Sequence, residues 1–538
     1  MPTQWSTFPV EFKGGLISNM SPLQQGTSAI GSATILQNME ADRQGGYTKI
    51  KGYEKFSSTE VPGYGRIEGL HVVSGGRAVV ARKVDQDAID AIGTLTATDI
   101  DHTAYYVGTG TTWTHMATTA DIGGGKAYKA TFNFDGDDKV VFVDGQDYPG
   151  IYNTNGNTMS FLTAASPKIN TDVQGAELVT IFKNTAFYSK GSQIYFTAPF
   201  TVDNFSAADG AGSISVGYDV TGMAIFRDQL IIFTSDSVKR LTGNTSSDFQ
   251  LSPISDKIGC ISADSIQEFG GDIIYLSPDG IRLLSATDRI GDFALDVASD
   301  KINKDSDDFL RSTPIYSSVI LREKGQYRIF AYVQSIDDST AQGLVATKFQ
   351  AQGAGGIEWS STKGIKSYIA DSVYSGTSEA IMFANEDGYL YEMEKTNGFD
   401  GDNIETIMET PYMPITDPEV RKTAYKLTLY TDPTGQMELR FRLIFNLDSG
   451  DDTRIVQPDE ITISSASGGG GIFTFGAPNA LYGGTNPDVI YGSKVKRIYN
   501  ENLIGSFHTV AMRITSNDTN PPFTLDTAVL QYRQNDRQ

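Results

Sequence analysis

Four segments between residues 180 and 400 share one pattern: an alternating apolar run, a two-residue turn and a second alternating run. They are KNTAFYSKGSQIYFTA (183 to 198), RDQLIIFTSDSVKRLTG (227 to 243), GGDIIYLSPDGIRLLSA (270 to 286) and SEAIMFANEDGYLYEME (378 to 394). Alternation of period two places every second side chain on one face of a strand, so each segment predicts a β-hairpin. The turn positions Lys190, Ser235 and Asp279 recur about every 45 residues, and Asp279 to Asp387 spans roughly two such periods with insertions. VVFVDGQDYPGIYN (140 to 153), turning at Asp144 and Gly145, adds a fifth copy one period earlier. A lone hairpin has nothing against which to bury its apolar face. Repeats of this length bury it by stacking four-stranded sheets radially, as the blades of a β-propeller.

With 538 residues the chain exceeds what one core normally supports, which predicts two or three folding units. Its 55 Gly, 26 Tyr and 28 Phe suit many short strands joined by tight turns. Helical periodicity is confined to short stretches, with ADSIQEF (263 to 269) and residues 86 to 92 the best candidates. The expected class is therefore all-β with minor helix.

The 43 basic and 65 acidic residues give a net charge of -22. That balance disfavours tight attachment to a phosphate backbone, because few cations are present to release its counterions. The same charge would suit a surface past which DNA slides without sticking, and it also serves ordinary solubility. Cys260, the only cysteine, sits in IGCIS between apolar neighbours and reads as a small packed hydrophobe, with no internal disulfide possible. MPTQWSTFPVEFKGG has neither a basic start nor an apolar core, so it does not read as a signal peptide, and no apolar run is long enough for a membrane-spanning helix. Synthesis in the cytoplasm follows as the expectation.

Three regions differ in texture. Residues 1 to 60 are rich in Gly, Ser and Gln around scattered apolar anchors, and SATILQNMEA followed by Gly45 and Gly46 predicts an extended arm with a hairpin. Residues 61 to 404 carry the hairpins, including GRAVVARKV (76 to 84) and TAYYVGTGTTWTHM (103 to 116), with VDQDAIDAIGTLTATDID as a loop insertion. There GQYRIFAYVQ predicts a strand with GIEWSS (356 to 361) as its partner. Dividing this region by the repeat length gives roughly six or seven blades, with six favoured. Residues 405 to 538 lose the period. AYKLTLYTDPTGQMELRFRLIF (424 to 445) and HTVAMRITSNDTNPPFTLDTAVLQY (508 to 532) each give two long alternating strands, around the turns 432 to 435 and 518 to 522, with the glycine run SGGGGIFTFGAP between the two segments. Long half-buried strands predict a C-terminal β-sandwich-like domain separate from the propeller.

Signatures of chemistry are sparse. His71, His102, His115 and His508 fall on different predicted elements, and neither HExxH, C-x-x-C, G-x-S-x-G nor a phosphate-gripping GxxxxGK[ST] occurs. NFDGDDK spaces Asn133, Asp135 and Asp137 as a calcium loop begins, but Asp138 stands where glycine is wanted. Asp300, Asp305, Asp307 and Asp308, and Asp448, Asp451 and Asp452, read as further acidic loops in which Asp caps its own turn. Trp5, Trp113 and Trp359 could stack on sugars, although aromatics in β repeats mostly pack the core. These observations assign no catalytic, cofactor or metal residue and favour a non-enzyme. The alternative is a carbohydrate-binding or carbohydrate-degrading propeller acting on host surface polysaccharide, with a carboxylate pair as its machinery.

Two segments carry a likeness: FKGGLISNMSPLQQGTSAIGSATILQNMEADRQGGYTKIKGYEKF and FQLSPISDKIGCISADSIQEFGGDIIYLSPDGIRLLS, joined by the closing NDTNPPFTLDTAVLQY. In these and in the order of its parts the chain resembles the tail nozzle, or tail tubular protein B, family of short-tailed bacteriophages. The resemblance implies a virion protein of the tail. It further implies a ring, usually hexameric, attached below the portal adaptor, with tail fibre or other virion proteins as neighbours and weak transient contact with the packaged DNA. It implies also that the propeller decorates the tube while the arm and the C-terminal β domain, as a platform, build contacts between copies. It carries no active-site motif and implies no cofactor.

Overall fold

Each of the five repeating hairpins becomes the second and third strands of one blade. In the computed structural model, which describes residues 5–284, 297–313, 315–349, 356–376, 378–446, 457–464 and 498–535, these pairs are Lys139–Val143 with Gly150–Asn153, Thr185–Lys190 with Gln193–Phe196, Gln229–Thr234 with Val238–Thr242, Asp272–Ser277 with Gly280–Leu283, and Ser378–Ala384 with Leu390–Met393. Flanking strands complete the sheets. Blade 1 runs from Tyr64 to Thr118, blade 2 from Tyr128 to Phe161, blade 3 from Leu178 to Ser215, blade 4 from Val220 to Ser255, and blade 5, three-stranded, from Gln267 to Leu283. The unit Tyr316–Lys363 is a further four-stranded blade, here blade 6, and Ile369–Met393 gives blade 7. Six of these sheets stand free, and blade 6 is shared with the neighbouring domain. The protein is thus an all-β propeller joined to a β-sandwich.

The period-two pattern explains why the blades stack. In strand Lys139–Val143, Val140 and Phe142 pack toward blade 1 against Val79, Ala81 and Tyr105. Val141 and Val143 point the other way, onto Val179, Ala186 and Tyr188 of blade 3. Both faces of an inner blade are therefore buried, which stabilises the fold by about 1.5–3 kcal/mol for each large apolar side chain. Cys260 joins Phe233, Val238, Ile273 and Tyr275 between blades 4 and 5, and burial pushes its thiol up to about 11, so it packs there as a small hydrophobe.

The ring is closed by the other end of the chain. Tyr53–Lys55 pairs with Leu390–Met393 as the outer strand of blade 7. Upstream, Met39–Ala41 and Tyr47–Lys49 form the hairpin announced by the paired glycines. Gly46 has φ +92, and a Cβ there would stand 2.5 Å from the Leu525 carbonyl oxygen, so both the turn and the close approach require glycine. Ser6–Glu11 pairs along Thr527–Tyr532 of the C-terminal strand. Within one copy, then, the N-terminal arm lies against its own chain.

The sandwich has two layers. One is a six-stranded sheet holding Ser6–Glu11, Met39–Ala41, Tyr47–Lys49, Phe523–Gln534, Lys422–Pro433 and Ile498–Phe507. The other continues from blade 6 through Ile35–Gln37, Ile404–Glu409, Val510–Asp518, Glu438–Phe445 and Ile461–Ser464. Their inner faces share a core that includes Leu427, Leu429, Phe441, Phe445, Phe507 and Leu530. Both turns read from the sequence exist, but neither closes a hairpin: Lys422–Pro433 and Glu438–Phe445 lie in different sheets, as do Val510–Asp518 and Phe523–Gln534. The residues between them carry the chain from one layer to the other, because each strand has one apolar face and the core lies between the sheets.

Other expectations are corrected in detail. GIEWSS does not pair with GQYRIFAYVQ, since Gln342–Lys348 lies between them and bonds to both. ADSIQEF is one 3-10 turn, Ala263–Ser265, followed by strand Gln267–Phe269. The acidic stretch at 300 to 308 is helical over Asn303–Ser312, because Ile302, Ser306 and Phe309 fall on one buried face at helical spacing. The insertion after blade 1's second strand holds a short helix, Gln86–Ala91, capped by the Asp85 carboxylate. The glycine run at 467 to 478 and Asp448, Asp451 and Asp452 lie outside the described residues.

Candidate functional site

Charged side chains from several blades meet along the inner strands of the propeller. The Lys129 ammonium, from the inner strand of blade 2, donates to the Leu70 carbonyl of blade 1 at 2.8 Å and pairs with Asp371 on the inner strand of blade 7. Asp371 also accepts the Val72 amide at 2.7 Å. His71 Nδ1 lies 3.6 Å from the same carboxylate, beyond hydrogen-bond range. Burial opposes ionisation of Asp371, yet the Lys129 ammonium and the neighbouring His71 outweigh it and hold the carboxyl well below the usual carboxylate range. Burial, reinforced by the Lys129 charge, pushes the His71 imidazole down.

Lys126 reaches further across. Its ammonium lies 3.0 Å from Asp264, which precedes blade 5, and donates to the Tyr368 carbonyl beside blade 7 at 2.7 Å. The Tyr128 hydroxyl donates to Asp264 at 2.9 Å, and Tyr368 donates to Glu68 at 3.2 Å. Burial raises Glu68 above the ordinary carboxylate range, partly countered by Arg66. The Ser317 hydroxyl bonds Ser367, linking blades 6 and 7. These cations are consumed by carboxylates and carbonyls of other blades. The arrangement fastens the inner strands of blades 1, 2 and 7 to one another and to the segment before blade 5.

A second charged group joins propeller to sandwich. The Arg328 guanidinium, 1% exposed, lies 2.9 Å from Glu40 of the N-terminal hairpin and 2.7 Å from Glu394 at the end of blade 7. Lys324 pairs with the same two acids, and Gln326 donates to Glu40 at 3.0 Å. Glu394 holds φ +65, a left-handed conformation that a non-glycine residue adopts only when its surroundings enforce it. Next to this network, the Asn38 amide donates to the Lys363 and Glu405 carbonyls and its oxygen accepts the Lys363 amide at 2.8 Å, clipping blade 6 to the sandwich. Lys49, buried, donates to Asp518 at 2.7 Å and to the Asn520 carbonyl at 3.2 Å.

The residues singled out from sequence are dispersed. His71, His102 and His115 all fall in blade 1 but bond separate partners, His102 facing the Thr119 carbonyl and His115 the Thr94 hydroxyl, while His508 lies in the sandwich, its backbone amide donating to Asn446. Asp135 is taken by Lys139, Asp137 accepts from Asn155 at 2.8 Å, and Asp138 accepts from Asn133 at 2.8 Å, so this turn bonds itself. Trp113 and Trp359 are buried and donate to the Thr59 and Ala298 carbonyls, whereas Trp5 is exposed and stacks on Tyr425 with centroids 4.4 Å apart. Among the described residues no three His, Cys, Asp or Glu side chains gather as a metal site would require. Sequence reasoning overlooked Lys129 and Arg328, although each sits as a charge inside an alternating apolar strand, YKATF and QYRIFA, which is the signal for a buried ion pair.

No known family profile matches the sequence, and no curated protein matches it. Among solved structures the chain is similar to the extracellular domain of a hybrid two-component system from B. thetaiotaomicron, at 10% identity over 64% of this chain and 45% of that one, with a TM-score of 0.36. It is also similar to PorZ, a surface component of the type-IX secretion system of Porphyromonas gingivalis, at 10% identity over 70% of this chain and 53% of that one, with a TM-score of 0.38. The chain spans about half the length of each of these structures.

Proposed function

We propose that the chain is a structural protein of a short-tailed phage tail. Six copies form a nozzle ring below the portal adaptor, through which the genome is retained and then ejected, and the chain performs no catalysis of its own. One observation supports this reading: the Glu40, Glu394, Lys324 and Arg328 network ties blade 6 and the end of blade 7 to the N-terminal hairpin of the sandwich. A subunit tied in this way suits a ring that must hold its bore against packaged DNA. Copies would join through the sandwich, where Ile461–Ser464 and Ile498–Phe507 end their sheets among the described residues. Such edges present unpaired backbone groups to a neighbour, and a head-to-tail contact repeated about an axis closes a ring.

Lys126 and Lys129 tie inner strands of several blades together, and in this reading the genome runs through a bore bounded by several copies, outside any one propeller. The charge of -22 supports weak holding of that DNA. The virion tail is the corresponding location, with the adaptor and fibre or other virion proteins as partners. Native mass measurement and electron microscopy of the purified chain with its adaptor test the proposal. A six-copy ring is the expected result, and a stable monomer in the adaptor's presence sinks it.

A further inference from the structure

A cleft of about 830 Å³ opens where blades 5 and 6 meet the N-terminal hairpin, lined in part by Arg43, Phe269, Ile320, Arg322, Lys348 and Phe349. It is larger than the clefts of 430, 380 and 320 Å³ found elsewhere on the molecule. Its charge is opposite to that of the chain. Three cations stand against one lining carboxylate, Glu268, in a protein with 65 acidic and 43 basic residues. Where acids outnumber bases, a cation usually finds a carboxylate. Arg322 does so, donating to Glu379 at 3.0 Å. Among the described residues the Arg43 and Lys348 side chains have no carboxylate partner; Lys348 donates to the Gly270 carbonyl at 2.6 Å.

Both unpaired cations lie over turns that lack a side chain. A Cβ on Gly270 (φ +59) would stand 2.3 Å from the Lys348 stem, and one on Gly325 (φ +62) would stand 2.2 Å from the Arg43 guanidinium. The two turns come from different blades, and Arg43 comes from the hairpin that also carries Glu40. The N-terminal hairpin and blade 6 thus bring positive charge to one cavity of ligand size, with the glycine turn of blade 5 leaving room for it and Phe349 and Ile320 as apolar wall.

We infer that this cleft binds a small polyanion bearing phosphate or carboxylate groups, with Arg43 and Lys348 as its principal contacts. Guanidinium donors match either oxyanion in paired fashion, and ammonium supplies a point charge. The inference stands independently of the nozzle reading. Isothermal titration of the full chain at low ionic strength tests it, with tripolyphosphate in one arm and trigalacturonate in the other. One saturable site is expected in at least one arm, weakening as salt rises. Saturation only with tripolyphosphate identifies a phosphate ligand, and saturation only with trigalacturonate identifies a sugar acid. The double variant Arg43→Ala, Lys348→Ala should bind at least tenfold more weakly, while Arg440→Ala, on the sandwich, should bind as the parent does. If the double variant does not fold, Arg43→Ala alone serves, at an exposed turn with no carboxylate partner to lose among the described residues, and a loss of threefold or more is expected. Absence of saturation in both arms, or unchanged binding by the Arg43 variants, overturns the inference.

Discussion

The propeller and the sandwich use the same alternating strands and are assembled in opposite ways. A blade such as Leu178–Ser215 pairs strands that follow one another directly in the chain. The sandwich pairs Ser6–Glu11 with Thr527–Tyr532 near the far terminus, and Ile35–Gln37 with Ile404–Glu409. Blades are therefore local structures that need neighbours for burial, whereas the sandwich needs both chain ends before its two sheets and its core are complete. Closure across such separations is what costs loop entropy and slows folding.

Removing residues 1–55 is the strongest way to break this contrast. It deletes the outer strand of blade 7 and four strands of the sandwich. The expected result is loss of the sandwich's cooperative unfolding transition, with amide exchange protection kept in blades 2 to 4. A truncated chain that unfolds at the parent's midpoint would show that the ends are dispensable.

Next in size is Arg328→Met at the junction. It strands Glu40 and Glu394 with a single remaining cation, and breaking a buried pair in this way costs about 3–5 kcal/mol, measurable by denaturant unfolding. Lys129→Met, inside the propeller, leaves the Asp371 carboxylate without its cation and is expected near the lower end, about 3 kcal/mol. Adding Asp371→Asn should restore more than half of that loss. Acid sharpens the point. Because Asp371 is held below its ordinary range, its contribution is fully present above the unfolded carboxylate pKa of about 4 and is lost as pH falls through the depressed native value. The acid limb of stability against pH should accordingly be steeper in the parent than in Lys129→Met.

Asn38→Ala removes the three hydrogen bonds that clip blade 6 to the sandwich, and a cost of about 2 kcal/mol is expected in the same unfolding assay. The smallest effect belongs to Asp135→Asn on an exposed turn of blade 2. Thermal unfolding should not shift resolvably, with or without added calcium. A calcium-dependent shift in the parent that the variant loses would make that turn an ion site.

The hairpins were legible because alternation and turn residues act over a few positions: Asp279 turns blade 5 and Asp387 lies in the turn of blade 7, where their spacing puts them. Three-residue strands were less so. Asn38, with φ +53, breaks what reads as the single strand SATILQNMEA into Ile35–Gln37 and Met39–Ala41, which then join different sheets. The helix at Asn303–Ser312 was hidden because its acidic positions dominate the composition, while the buried side chains described there are Ser306 and Phe309, with Ile302 just before it. As for the inner-strand and junction charges, Lys129 and Arg328 stand out in their strands, but their partners lie on other blades or in the N-terminal hairpin.

By itself the sequence determined the all-β class, the radial repeat and the change of texture beyond residue 405, since one-sided burial at period two is a local property of the chain. Only the tertiary structure decided that the turns at 432–435 and 518–522 cross between layers, that Tyr53–Lys55 closes the ring, and that Lys126 and Lys129 pair with acids outside their own blade. Strand partners and charge partners hundreds of residues apart are selected by which surfaces remain to be buried once the blades have formed, and no local pattern encodes that choice.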